Sequence, residues 1–312
     1  MENTTLIIFA ILLILGISAD LYSHRGCKEI SFKDATVWSI IWVLISVVFG
    51  GYIASFESVD KAHLFFTGYL LEKALSIDNL FVFMAIFTWF KVSNALAHRV
   101  LYWGIFGAIV FRLIFVLLGT TIMEFSHWIG VIFGLIVIWS GYKLLVTTKD
   151  EEEDFSKNAA YKIAERFIPI LPSVFYGDKF FIRGGDRILY ATPLFLCLVV
   201  IEMSDILFAF DSVPAILAIT KDISIIWPAM IFAMCGLRTM YFMLDSLKEL
   251  FVYLEKGVIF ILFFIGFKLI INSVDEMFQT GYNIHNDVSL FVIAATLLGS
   301  IILSMVRKKH VN

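Results

Sequence analysis

Nine stretches of this chain are apolar over the length of a bilayer: residues 4–22, 35–54, 64–90, 99–119, 122–146, 188–219, 224–246, 255–272 and 287–306. A helix needs about 20 mainly apolar residues to cross a hydrocarbon layer roughly 30 Å thick. Nine such runs leave little chain for anything else, so they predict an all-α, polytopic membrane protein of about nine transmembrane helices in a single transmembrane domain. Composition agrees: 60% of the 312 residues are hydrophobic and 16% charged, against about 25% charged in soluble domains.

Charge outside the runs alternates from loop to loop. Seventeen Lys and Arg residues fall in every second loop and the C-terminal tail, among them Arg25, Lys28, Lys33, seven between Lys149 and Arg187, and Arg307 to Lys309; the intervening loops hold only Lys61 and Lys221. The positive-inside rule then sets the N-terminus outside and the C-terminus in the cytoplasm. The first run does not read as a cleavable signal, because Glu2 precedes it while Arg25 and Lys28 follow, the reverse of a signal peptide's basic leading region. The one long loop, 147–187, opens on the acidic run Asp150 to Asp154, read as solvated surface. A short amphipathic helix is expected from Ser156 to Ile168, and a small β-hairpin from K-F-F-I-R and D-R-I-L-Y around Gly184-Gly185. Cys27, Cys197 and Cys235 are scattered and the six histidines show no ligand spacing, so neither a disulfide framework nor a thiolate or imidazole metal site is indicated.

Within this background Ile201 to Ala215, I-E-M-S-D-I-L-F-A-F-D-S-V-P-A, carries Glu202, Asp205 and Asp211 inside an apolar run. An ionised carboxylate at bilayer depth costs at least about 2.5–3.5 kcal/mol, so three require compensation. A second acidic stretch, Tyr69 to Phe83, aligns with the first: Glu72 falls on Asp205, and Asp78-Asn79 on Asp211-Ser212. The match continues through F-R-L-I-F at Arg112 and L-R-T-M-Y at Arg238, then G-Y-K-L at Lys143 and G-F-K-L at Lys268, with Arg-to-Lys spacings of 31 and 30. This divides the chain into two leading helices (4–54), a first repeat (64–146), the loop, a second repeat (188–272) and a last helix (287–306). Three spans per repeat is an odd number, so the copies are expected in inverted orientation with their acids meeting near the midplane. Residues six apart point about 120° apart on a regular helix; a kink at Pro214, which clashes with the carbonyl of Phe210, is expected to bring Asp211 back toward Asp205.

Carboxylates, the Asn79 amide and the Ser212 hydroxyl form an all-oxygen set suited to Mg²⁺, Ca²⁺ or Mn²⁺. The expected metal ligands are Glu72, Asp78, Asn79, Glu202, Asp205, Asp211 and Ser212. Arg112, Arg238 and Lys73 are the expected charge partners; five acids against these three cations leave two negative charges, which one divalent cation would balance. Met203 reads as packing, Asp20 as interfacial, and Lys143 and Lys268 as cations snorkelling from span ends.

E-K-A-L-S-I-D-N and E-M-S-D-I-L-F-A-F-D-S-V-P-A resemble the two signature segments of the TerC family, within the wider group of lysine-exporter-type transporters. The resemblance extends over nearly the whole chain, L-Y-A-T-P included, and among the branches is strongest to the alkaline-inducible Alx group. It implies Mn²⁺ export across the bacterial cytoplasmic membrane, with the motif acids as metal ligands, Ca²⁺ or Mg²⁺ as alternative cargo, and neither an organic cofactor nor a nucleic-acid partner. Tellurium resistance and membrane-bound redox modulation are older functions attached to the same family. Two other classes compete with transport: a stress-response scaffold docking through 147–187, and an intramembrane aspartyl enzyme using Asp78 and Asp211. The second leaves the Glu and Arg residues unexplained, and the chain is read as a carrier, not an enzyme.

Overall fold

The structure of the protein, a computed structural model, describes residues 2–23, 31–125, 128–146, 178–183, 189–247 and 253–311. Ten α-helices account for most of them: α1 (Glu2–Ser23), α2 (Phe32–Phe56), α3 (Val59–Trp89), α4 (Asn94–Phe125), α5 (Trp128–Val146), α6 (Pro193–Leu217), α7 (Ile223–Cys235), α8 (Leu237–Leu247), α9 (Leu254–Phe278) and α10 (Asn286–Val311). Side-chain caps mark several starts. The hydroxyls of Ser31, Ser58 and Thr192 accept from the backbone N–H of Asp34, Lys61 and Phe195, and the Asp222 carboxylate accepts from that of Ser224. Each satisfies one of the N–H groups that a first turn leaves without an intrahelical partner. Pro193 at the head of α6 needs no donor there.

Eight helical segments of the described chain are long and apolar enough to cross a membrane. α3 is the ninth expected span. Its 31 residues extend about 46 Å at 1.5 Å per residue, but Glu72, Lys73 and Asp78 interrupt its apolar sequence. It tolerates them because it is an inner helix, packed against α2, α6, α7 and α10. The seventh expected span is divided: α7 stops at Cys235, Gly236 forms the break, and α8 resumes at Leu237. Helices also run beyond several apolar windows, as α4 does to Asn94 and Phe125, since polar ends continue a helix into the headgroup layer without cost.

Hydrophobic residues lie both inside and outside. Ile14, Val48, Trp103, Leu118, Trp139, Phe291 and Leu303 project from the outer helices, a surface suited to lipid and hazardous in water. α7 is at the opposite extreme, buried along nearly its whole length. α5 lies along α9 at close range: a Cβ on Gly134 would stand 2.8 Å from the Gly266 carbonyl oxygen, and one on Gly266 the same distance from the Gly134 carbonyl oxygen. Small residues are what allow such backbone approach between membrane helices. The main helix pairings are reciprocal between the chain's two halves: α3 lies on α7 as α6 lies on α4, and α5 runs along α9.

The expected hairpin is present. β1 (Phe181–Arg183) pairs antiparallel with β2 (Leu189–Ala191) in the register Phe181 to Ala191, Ile182 to Tyr190 and Arg183 to Leu189. It is joined to the head of α6, where the Thr192 N–H donates to the Phe180 carbonyl at 2.9 Å and the Phe181 and Phe195 rings lie 4.4 Å apart. The expected amphipathic helix 156–168 and the acidic run lie outside the described residues. At the opposite end of the bundle a polar clip joins three helices: Thr5 of α1 and Lys61 of α3 both donate to Glu57, which ends α2. Lys61 also lies 3.5 Å from Asp222, ahead of α7. His63 meets Asp287 of α10 at this same end, so α1 and α10 begin at one face and run to the other.

Candidate ion-binding site

The site is built on three helices. Along α3 the buried stripe Glu72, Ser76, Asn79 and Phe83 follows a spacing of four, three and four, one face of a helix. On α6, Asp205 and Ser212 are seven apart and share a face, with Glu202 one turn before Asp205. On α4 the inward face reads Gly104, Ala108, Arg112 and Val116, and its small residues let α6 come near.

Arg112 is where these faces converge. Only 1% exposed, it donates through Nη1 to Glu72 Oε1 and, at 3.2 Å, to Ser212 Oγ. Through Nη2 and Nε it donates to Asp205 Oδ1 at 3.2 Å and Oδ2 at 3.4 Å, a two-pronged grip on one carboxylate. The guanidinium fork suits this: it stays charged and fixes several oxygens in one plane. One arginine therefore joins the matched acids of the two sequence repeats, Glu72 at 1% and Asp205 at 4% exposure.

Three buried oxygens near this junction take no hydrogen bond: Glu72 Oε2, Ser76 Oγ and Glu202 Oε2. A buried polar atom without a partner costs free energy on the order of 1–3 kcal/mol, more if charged. Glu202 lies against α4, where a Cβ on Gly107 would stand 2.2 Å from its Oε2. A cavity with a water-accessible volume of about 20 Å³, room for one water-sized guest, is lined by Glu202, Asp205, Gly104, Ala108, Phe83 and Arg238 among others.

The remaining expected residues are placed as follows. Asn79 is buried on α3. Asp78 and Asp211 belong to α3 and α6, but their side chains lie outside those described. Among the described residues no three His, Cys, Asp or Glu side chains converge tightly enough to hold a metal by themselves. Pro214 sits within α6, which remains α-helical through it to Leu217. Lys73 donates to the Ala233 carbonyl of α7 at 3.0 Å.

Arg238 pairs with Asp20 of α1 and lines one cavity with Glu202 and Asp205. Two sequence expectations are corrected. Asp20 is accordingly not interfacial: it is 6% exposed and borders a second cavity with Trp42, Tyr102, Cys235 and Arg238. Lys268 does not snorkel, being fully buried where α9 packs against α5 and α10, while its counterpart Lys143 is exposed beside the Trp139 ring. Sequence reasoning also missed Ser76 and Gly107 as parts of the site. Ser76 was legible as the residue one turn from Glu72, whereas nothing local singles out Gly107.

A bundle of membrane-length helices that shows hydrocarbon to its surroundings and encloses an arginine with several carboxylates is an integral membrane protein of multiple spans. The chain belongs to the TerC family of integral membrane proteins, whose model matches residues 57–312. It is 44% identical to the tellurium resistance protein TerC of Serratia marcescens, over 96% of this chain and 93% of that protein. Identity is 37% with the putative membrane-bound redox modulator Alx of Salmonella typhi, over 84% of both. It is 38% with the thylakoid membrane protein TERC, chloroplastic, of Arabidopsis thaliana, over 92% of this chain and 71% of that protein. No solved structure matches the chain.

Proposed function

We propose that the protein carries a divalent cation, Mn²⁺ foremost with Ca²⁺ and Mg²⁺ as alternatives, outward across a bacterial cytoplasmic membrane, with its N-terminus outside and C-terminus inside. The carrying observation is the junction at Arg112, where matched acids from two segments share one cation beside three buried oxygens that take no hydrogen bond. All these groups are hard oxygen donors, the preference of Mg²⁺, Ca²⁺ and Mn²⁺. Glu72, Ser76, Asn79, Asp205 and Ser212 are the described candidate ligands, Asp78 and Asp211 complete the set, and Glu202 borders it on α6. The reciprocal pairing of α3 with α7 and α6 with α4 supports two inverted three-helix repeats that rock about this centre in alternating access. A redox role finds less support, since the described cysteines, Cys197 and Cys235, are buried and unlinked.

The test is accumulation of ⁵⁴Mn²⁺ in cells expressing the protein or its Glu72→Gln or Asp211→Ala variant. The reading requires less retained Mn²⁺ with the wild-type protein than with either variant; equal retention in all three rejects it.

A further inference from the structure

Glu202 is a half-buried carboxyl group with one buried oxygen that has no partner. Its Oε2 takes no hydrogen bond, although it lies one helical turn from Asp205, which Arg112 grips with two nitrogens. Its seat on α4 is at Gly107 and Gly104, five and eight residues before Arg112. α4 and α6 both start at the hairpin end, where Arg99 meets Asp178 and Thr192 joins the strand, so the two helices run in the same direction. Helical side chains lean toward the N-terminus of their own helix. The long Arg112 side chain therefore leans along α4 toward the level of Gly107 and Glu202. One cavity is lined by both Asp205 and Glu202, so free space connects the carboxylate that Arg112 holds with the one that no residue holds.

Resting on the transport reading above, we infer that Arg112 is a tethered stand-in for the cargo: a divalent cation arriving at Glu72, Asp205 and Ser212 displaces its guanidinium, which moves one helical turn along α6 to Glu202. The guanidinium and the ion claim the same oxygens and repel each other, so they occupy them in turn. Glu202 gives the displaced charge a counter-ion inside the membrane, where an unpaired guanidinium would be costly. Gly107 is the seat this exchange requires, because a side chain there would meet the Glu202 carboxylate. Arg238 also lines the cavity but is held by Asp20. Glu202 thus acts as a positioning residue for Arg112, not as a ligand of the ion.

The experiment is a set of double-mutant cycles on melting temperature in detergent, with Mn²⁺ alone as the probe. Arg112→Gln and Glu202→Gln should be additive without Mn²⁺ and non-additive by several degrees at saturating Mn²⁺. Glu202→Gln and Gly107→Ala should each weaken Mn²⁺ binding about tenfold or more, the scale of one hydrogen bond to a charged group. If Arg112→Gln does not yield folded protein, Arg112→Lys replaces it in the cycle, since it keeps the charge but loses the fork. Additivity of Arg112 and Glu202 at saturating Mn²⁺, with binding intact, overturns the exchange and leaves the transport reading standing. Coupling that appears instead between Arg238 and Glu202 overturns it as well. A wild-type protein whose melting temperature ignores Mn²⁺ refutes the transport reading, and the exchange with it.

Discussion

Replacing Arg112 by Gln should destabilise the protein in a way that a divalent ion repairs. Gln keeps a polar side chain but removes the cation that Glu72 and Asp205 share, along with four hydrogen bonds from its three nitrogens. Two carboxylates, at 1% and 4% exposure, are then left facing each other. Removing one partner of a buried ion pair costs about 3–5 kcal/mol, which for a chain of this size lowers the melting temperature on the order of 10 °C. A divalent ion at 100 times its Kd returns about 2.7 kcal/mol, so the variant should recover most of the loss in Mn²⁺. Its affinity should exceed the wild type's, because no tethered cation competes. Thermal melts and equilibrium ⁵⁴Mn²⁺ binding in detergent measure both. A triple variant that also carries Glu72→Gln and Asp205→Asn should melt near the wild type without any ion, since the charge conflict is gone. The reasoning fails if Arg112→Gln melts within a degree of wild type, or if Na⁺ at matched ionic strength restores it as well as Mn²⁺ does.

Asp20→Asn should cost about 3–5 kcal/mol by leaving Arg238 without its buried carboxylate; a melting temperature unchanged by the substitution would contradict that pairing. Gly266→Ala places a methyl 2.8 Å from the Gly134 carbonyl oxygen and 2.6 Å from the Ile138 side chain. It should cost about 1–3 kcal/mol, read as faster proteolysis in the loop beside α9. At the far end, burial pushes the Glu57 carboxyl up, but hydrogen bonds from Lys61 and Thr5 and the Lys61 charge together carry it below its ordinary value. Its contribution is therefore complete above the ordinary carboxyl value and lost as pH falls through the lowered one. Acid should loosen the clip between α1, α2 and α3, and Glu57→Gln should flatten that limb of a pH–stability curve.

The number and order of the helices were legible because apolar length dominates the energetics of a membrane chain. Charges inside spans likewise pointed to Glu72, Asp205 and Arg112, which the structure brings together, since a buried ion survives only with partners and partners can be sought by type. What misled was the assumption that a charge near the end of a run must reach water. Asp20 lies two residues before the expected end of the first run, yet it is buried because Arg238 is beside it; Lys268 is buried because α9 is covered by α5 and α10. Both outcomes depend on which helices neighbour which, and no pattern within a single span records that. The glycine seat of Glu202 was hidden for the same reason, as Gly107 matters only once α4 lies against α6. The break at Gly236 divided a span whose composition is continuous across it.

The most direct test of the account is ion movement into sealed proteoliposomes containing the purified protein, with ⁵⁴Mn²⁺ and ⁴⁵Ca²⁺ followed separately. Wild-type protein should carry ⁵⁴Mn²⁺ down an imposed gradient, and Glu72→Gln and Asp205→Asn should each reduce the rate to that of empty vesicles while remaining folded. Flux in both variants equal to wild type, or no flux above empty vesicles in any of them, would contradict a cation path through the carboxylates that Arg112 joins.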